Sequence, residues 1–404
     1  MSRAVLVLLG AQFLSALADN AILFAALAML VDAPRGAWYV GALQSGFLVA
    51  FVLLAPWVGS FADARPKPHV LLIGNALKAV GALAMLAGLE PIAAYALVGV
   101  GAAIYGPAKY GVLPELVSHG SLVRANGLIE GSTIVAILVG TVTGGRLADR
   151  SVTWALWAVT GCYVASAVIT LLLPRLTPAG VRHAGVRNFV HMMRGMLATA
   201  RARFAMLGNS LFWASAAVLR VLLLAWAPAV LGTHNVSDVG DLTLPLALGI
   251  MAGAVIVPQL IPIEKLRRAR LAAYAMALAI LAFSLVDSFW AACAVLAAIG
   301  VCGGLFMVPM NAALQEIGHK TIGAGGAVAL QSFFENVAML AAVGTYTAAA
   351  AAGAQPAGSI VTVGALVLVA TFVVSWHLPP DAAVNRIPAP DRGTGAPVHD
   401  DGIA

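Results

Sequence analysis

The chain has 404 residues, 61% of them hydrophobic and only 10% charged, with a mean hydropathy of +0.94. Soluble domains carry about a quarter charged residues, so this composition excludes a soluble enzyme and indicates a protein that crosses the membrane many times. The net charge of +6 reports membrane topology and attraction to the inner leaflet, and not nucleic-acid binding.

Hydropathy predicts twelve spans: Val5–Val31, Trp38–Phe61, His69–Gly88, Ile92–Leu116, Leu122–Leu147, Val152–Leu173, Phe204–Leu231, Leu242–Pro262, Leu271–Val286, Phe289–Gln315, Ile322–Ala351 and Ser359–His377. Met-Ser-Arg leads straight into the first run without a small-residue cleavage pattern, so that run reads as a membrane helix and not a removed signal. The more polar Pro174–Arg203 divides the spans into two sets of six. The expected organisation is a first bundle over 1–174, a basic cytoplasmic linker over 175–203, a second bundle over 204–378, and a disordered cytoplasmic tail over 379–404, rich in Pro, Gly, Ala and Asp. Taking the N-terminus as cytoplasmic puts 17 lysines and arginines on inside segments and three, Arg35, Arg146 and Arg150, on outside ones. That asymmetry predicts both termini and the linker in the cytoplasm. Trp38, Trp57, Trp154, Trp157, Trp290 and Trp376 near span ends agree with it.

The fourth span carries Gly106, Pro107, Lys109, Gly111 and Pro114, and reads as a broken helix lining a path. A bare ammonium or a freed backbone group costs several kcal/mol in hydrocarbon, so such features persist only against protein or a watery cavity. Six ionisable residues lie within spans away from their ends: Asp19, Lys78, Lys109, Glu130, Arg220 and Glu335. At about 1.5 Å per residue, Asp19, Arg220 and Glu335 lie at comparable depths, roughly 20 Å in, too deep to snorkel, and read as one binding layer. A mutual structural ion pair among them is the competing reading. Lys109 lies within snorkelling reach of a cytoplasmic end but in the broken helix, and is grouped with Tyr105 as cavity lining. Glu130 sits in a less interrupted helix, and Lys78 reads either as a site residue or as the structural partner of a carboxylate. Asn20 and Asn336, each following an acid, add hydrogen-bonding capacity.

All eight histidines fall in loops or at span ends, so no buried imidazole relay is expected. Cys162, Cys293 and Cys302 lack metal or disulfide spacing, and no nucleotide-binding, metalloprotease or nucleophile-elbow motif is present. No enzyme activity, metal or cofactor is expected.

The halves echo each other. Gly127–Gly140 lies over Glu335–Gly344 at an offset of about 204, Pro107 over Pro309 at 202, and Asp19 over Arg220 at 201. Between the second and third spans, Gly59-Ser-Phe-Ala-Asp63-Ala-Arg65-Pro-Lys67 resembles the loop motif of the major facilitator superfamily. The resemblance implies an all-α membrane protein with twelve transmembrane helices in two pseudo-symmetric six-helix bundles and a site between them. Gly59 permits close helix approach, and Asp63 with Arg65 and Lys67 forms an expected conformational latch. Pro66 stands where that family usually has glycine, and the bland alternative is a solvated basic turn.

Five segments in order carry a closer resemblance: Gln12–Phe24, Gly99–Gly111, Arg124-Ala-Asn-Gly-Leu, Leu219-Arg220, and Gly323-Ala-Gly-Gly through Glu335-Asn336. Together they resemble the bacterial lysophospholipid transporter family over roughly residues 5–375. The resemblance implies inward flipping of lysophospholipids such as lysophosphatidylethanolamine across the inner membrane. It also implies a cytoplasmic-side acyl-ACP synthetase/acyltransferase partner, with Asp19, Lys109, Arg220 and Glu335 as the substrate-handling charges. The competing functions are a proton-coupled exporter or symporter of another small amphiphile, and a non-transporting scaffold or sensor for an acyltransferase.

Overall fold

The computed structural model describes residues 3–31, 38–117, 122–174, 185–233, 236–261, 263–321 and 324–376; the side chains of Asp63 and Glu130 and the expected tail lie outside the described residues. Among the described residues thirteen α-helices follow one another: α1 (Arg3–Val31), α2 (Trp38–Asp63), α3 (Lys67–Leu86), α4 (Pro91–Leu116), α5 (Leu122–Arg150), α6 (Val152–Thr170), α7 (Val186–Met196), α8 (Ala200–Trp226), α9 (Val236–Leu260), α10 (Ala269–Phe283), α11 (Phe289–Thr321), α12 (Ala324–Ala351) and α13 (Pro356–Trp376). Ten of them are long and apolar enough to cross a membrane. With α10 and α12 they match the twelve expected runs, and α7 is additional.

Local chemistry sets several boundaries. Ser151 accepts the Trp154 N–H at 3.3 Å and opens α6, and Thr199 accepts the Ala202 N–H at 3.2 Å and opens α8. Pro66 and Pro68 start α3, where missing donors cost nothing. A π turn, Ala227–Leu231, extends α8 until Gly232 stops it at φ 65°.

Three expectations change. The fourth span, expected to be broken, is the continuous helix α4 despite Gly106, Pro107 and Gly111. Packing by its neighbours maintains a helix that loses a single backbone bond at a proline. The stretch expected as a polar linker contains α7, whose Phe189 packs edge-on against Phe333 of α12 at 5.0 Å. The eighth span starts at Val236 and not Leu242, because its polar first turns suit a helix N-terminus, with Asp238 in the first turn.

Within each half, glycines bring backbones into contact. Gly249 and Gly253 of α9 mesh with Gly300 and Gly304 of α11, and a Cβ on Gly300 would stand 2.1 Å from the Leu246 carbonyl oxygen. Such spacing gives van der Waals contact where hydrophobic burial supplies little drive between helices. Between the halves, α2 packs on α12 and α5 on α9. One large apolar core occupies the second half, and two smaller ones occupy the first.

Candidate functional site

In the first half, four helices build a polar network in an apolar interior. Ser15 and Asp19 lie one turn apart on α1, Asn75 and Lys78 share a face of α3, and α6 supplies Tyr163 and Ser166. Lys78 Nζ donates to Asp19 Oδ2 at 2.7 Å and to Ser15 Oγ at 2.9 Å. Tyr163 Oη donates to Asp19 Oδ1 at 2.9 Å. Ser15 donates to Asn75 Oδ1 at 2.8 Å, Asn75 Nδ2 to Ser166 Oγ at 2.8 Å, and Ser166 to the Ala11 carbonyl at 2.6 Å. Buried Tyr105 of α4 places its ring 4.7 Å from the ammonium. Lys78 is 1% exposed and Asp19 24%, so the ion pair presents only its carboxylate edge outward.

The second half has a counterpart around Glu335 of α12. That carboxylate accepts from Asn209 of α8 and, at 2.7 Å, from Gln331 Nε2, which also donates to Asn311 of α11 at 2.7 Å. Arg220 of α8 lies at the seam, its guanidinium 5.9 Å from the centre of the Phe24 ring on α1. Among the described residues Arg220 forms no ion pair or hydrogen bond.

The structure therefore brings Asp19, Lys78 and Tyr105 together, sets Glu335 in a separate amide cluster, and leaves Arg220 between the halves. Lys78 sits as the buried partner of Asp19 and not on an open surface. Asn20 and Asn336 turn their amide nitrogens to their own helices, bonding Ala16 O at 2.8 Å and Ser332 O at 2.7 Å. Buried Lys109 lies with Nζ 4.2 Å from the Tyr110 ring centre. At the end of α2, Arg65 stacks on Phe61 at 4.0 Å and Lys67 Nζ donates to the Ala62 carbonyl at 3.0 Å, while Gly59 has open space around it. Sequence reasoning missed Ser15, Asn75, Tyr163, Ser166, Asn209, Asn311 and Gln331. One-turn spacing to an acid (Ser15 to Asp19, Gln331 to Glu335) is the signal that could have found two of them.

The end of the molecule where α5 finishes and α9 begins is tied across the halves. Asp149 Oδ2 accepts the Ser237 N–H at 3.0 Å, and Arg146 pairs with Asp241 at 3.6 Å. Gly145 would place a Cβ 3.1 Å from Ser237 Cα, and at the same end Gly41 of α2 abuts Thr347 of α12.

Two half-bundles of membrane-length helices, with charged residues inside each and a cation at their seam, define a solute carrier. The sequence profile of the Major Facilitator Superfamily matches residues 8–343, and the chain belongs to that family of transporters, which are not enzymes. Among solved structures, a point mutant of the nucleoside transporter NupG superposes with a TM-score of 0.71 at 13% identity, over 95% of this chain and all of that one. The human organic anion transporter MFSD10 (TETRAN) superposes at 0.65 and 16% identity, over 92% and 99%. These show the fold. Closer in sequence is the lysophospholipid transporter LplT of Serratia proteamaculans (strain 568), 41% identical over 358 residues, 86% of this chain and 89% of its own length. The lysophospholipid transporter LplT of Shigella boydii serotype 4 (strain Sb227) is 43% identical over 350 residues, 85% and 88% of the two chains. The chain is a multi-pass inner-membrane protein.

Proposed function

We propose that this chain transports lysophospholipids, moving molecules such as lysophosphatidylethanolamine from the outer to the inner leaflet by alternating access. The observation that carries the reading is Arg220: a guanidinium at the seam with no ion pair among the described residues, while Asp19 and Glu335 are engaged within their own bundles. A phosphodiester suits such a cation, binding through paired charge-assisted hydrogen bonds. The ammonium of the headgroup finds the outward edge of Asp19 or the carboxylate of Glu335, and the acyl chain finds apolar helix walls. The sequence relatives named for lysophospholipid transport support the same substrate class.

With both termini cytoplasmic, as the distribution of arginines and lysines supports, the tied end of α5 and α9 is the outer face. Delivered lysolipid then meets a cytoplasmic-side acyl-ACP synthetase/acyltransferase, and its reacylation gives the flux direction. A zwitterionic headgroup enters without net charge, so no co-ion is electrostatically required. The first and second bundles serve as the units that rock against each other, joined by the basic linker with α7, with Asp63, Arg65 and Lys67 latching the inner side; Gly59, which has no close neighbour, drops out of the latch.

Proteoliposomes loaded with labelled lysophosphatidylethanolamine and held without sodium, proton or voltage gradients test the reading. Equilibration across the bilayer is expected. Movement only under an imposed ion gradient would replace the uniport with a coupled mechanism, and no movement under either condition would remove the lysolipid.

A further inference from the structure

We propose that the outer ends of α5 and α9 form a reception site for the phosphate of an incoming lysolipid, and that filling it loosens the seam beneath. The inference rests on the transport reading and on that face being the outer one.

Arg146 and Arg150 stand one turn apart on the last stretch of α5 and line a cleft of about 600 Å³ with Thr143, Leu147, Asp149 and Ser237. That volume falls in the range of small-ligand clefts, about 300 to 1,000 Å³. Outer segments hold only three basic residues against 17 on inner ones. Basic residues are disfavoured on that side, yet two of the three converge here. Neither is committed strongly. Arg146 is 65% exposed and only loosely paired with Asp241 at 3.6 Å, while exposed Arg150 forms no ion pair or hydrogen bond among the described residues. Two guanidiniums at this spacing offer a phosphate more than one bidentate contact.

The same cleft holds the ties across the seam. Asp149 accepts the Ser237 N–H in the first turn of α9, a position that favours any anion because helix-end donors and the helix dipole point there. A phosphate between the arginines competes with Asp241 for Arg146 and with Asp149 for the start of α9, so binding weakens both ties together. Gly145-Arg-Leu-Ala-Asp149-Arg150 also repeats the Gly-x-x-Ala-Asp spacing of Gly59–Asp63, the segment expected to latch the other face. On the same two helices, Val135 and Val139 of α5 and Leu248 and Val255 of α9 are exposed and apolar. A single acyl chain can remain in hydrocarbon there while its headgroup docks.

The test uses the full chain with Cys162, Cys293 and Cys302 replaced by alanine and Thr141→Cys added. Thr141 is 3% exposed and faces Gly240 across the seam, so a maleimide reaches that cysteine only when the seam parts. In phosphate-free detergent, lysophosphatidylethanolamine is expected to raise the labelling rate roughly tenfold, the factor that one charge-assisted bond supplies. The monoacylglycerol of the same chain length is expected to leave it unchanged. Arg146→Gln with Arg150→Gln cuts the Arg146–Asp241 tie and so raises the basal labelling rate, but lysolipid should add no further rise, and in vesicles the half-saturating lysolipid concentration should increase by roughly tenfold. An equal rise with monoacylglycerol, or one that persists in the double variant, overturns the proposal. An equal rise with diacyl phosphatidylethanolamine assigns the cleft to resident phospholipid and overturns its role in substrate capture. Wild-type uptake with an unchanged double variant sinks this inference alone, whereas a wild type that moves no lysolipid sinks the transport reading with it.

Discussion

Replacing Lys78 by methionine keeps the unbranched stem as far as Cε and removes the ammonium. At 2.7 Å from Asp19, the pair attracts by about 6 kcal/mol at an effective dielectric of about 20. Deleting the ammonium also returns its desolvation cost of several kcal/mol, so the net loss is about 3 kcal/mol, the usual range for breaking a buried pair from one side. Asp19, half-buried and still bonded by Tyr163, is left without its cation. Asp19→Asn should cost at least as much, because the ammonium it strands is only 1% exposed. The double variant Lys78→Met with Asp19→Asn strands no charge and should lie within about 1 kcal/mol of wild type. For a cooperative unit of half the chain, 3 kcal/mol lowers the unfolding midpoint by roughly 6 to 12 °C. Thermal scans of the detergent-solubilised protein, followed by tryptophan fluorescence, read all four proteins. A double variant no more stable than the singles, or a Lys78→Met midpoint equal to wild type, would refute the ion pair as the tie between α1 and α3.

Arg220→Ala should lower lysolipid uptake by two orders of magnitude or so while changing stability by less than about 1 kcal/mol, since this arginine has no ion pair to lose; near-normal uptake at matched expression would take it out of the site. Gly300→Ala, whose new Cβ would stand 2.1 Å from the Leu246 carbonyl oxygen, should destabilise by about 1 to 3 kcal/mol. Gly161→Ala, with no atom within 4 Å, serves as its control, and equal midpoints for the two would contradict the close packing of α9 on α11. Asp63→Asn should shift the balance between inward- and outward-open forms more than it shifts substrate affinity; unchanged cysteine labelling from both faces would count against a latch there.

Most of the helices could be read from the sequence because each apolar run is long enough to span hydrocarbon by itself. The start of α9 could not, since Val236-Ser-Asp-Val-Gly-Asp is too polar to join an apolar run, although Asp238 suits a helix N-terminus. Nor could the continuity of α4, where composition signals a break that tertiary packing overrides. The charges of the site were visible as isolated ionisable residues in apolar runs, but their pairing was not. Asp19 meets Lys78 from 59 residues away and Tyr163 from 144, and hydropathy carries no information about such meetings. Depth counting put Asp19, Arg220 and Glu335 in one layer; which neighbour neutralises which is decided by helix rotation, and periodicity along one helix does not set that.

The hydrogen-bond chain behind Asp19 has a direction. Lys78 only donates, Ser15 passes its proton toward Asn75, Asn75 toward Ser166, and Ser166 ends on the Ala11 carbonyl. Protons hop along a file of groups only when each can both receive and release one, and the last can hand its proton on. This file contains an amide and terminates on a backbone oxygen that has no proton to release. Proton hopping along this file stops at the amide and at the backbone oxygen, so its hydrogen bonds serve to hold the shape of the candidate site.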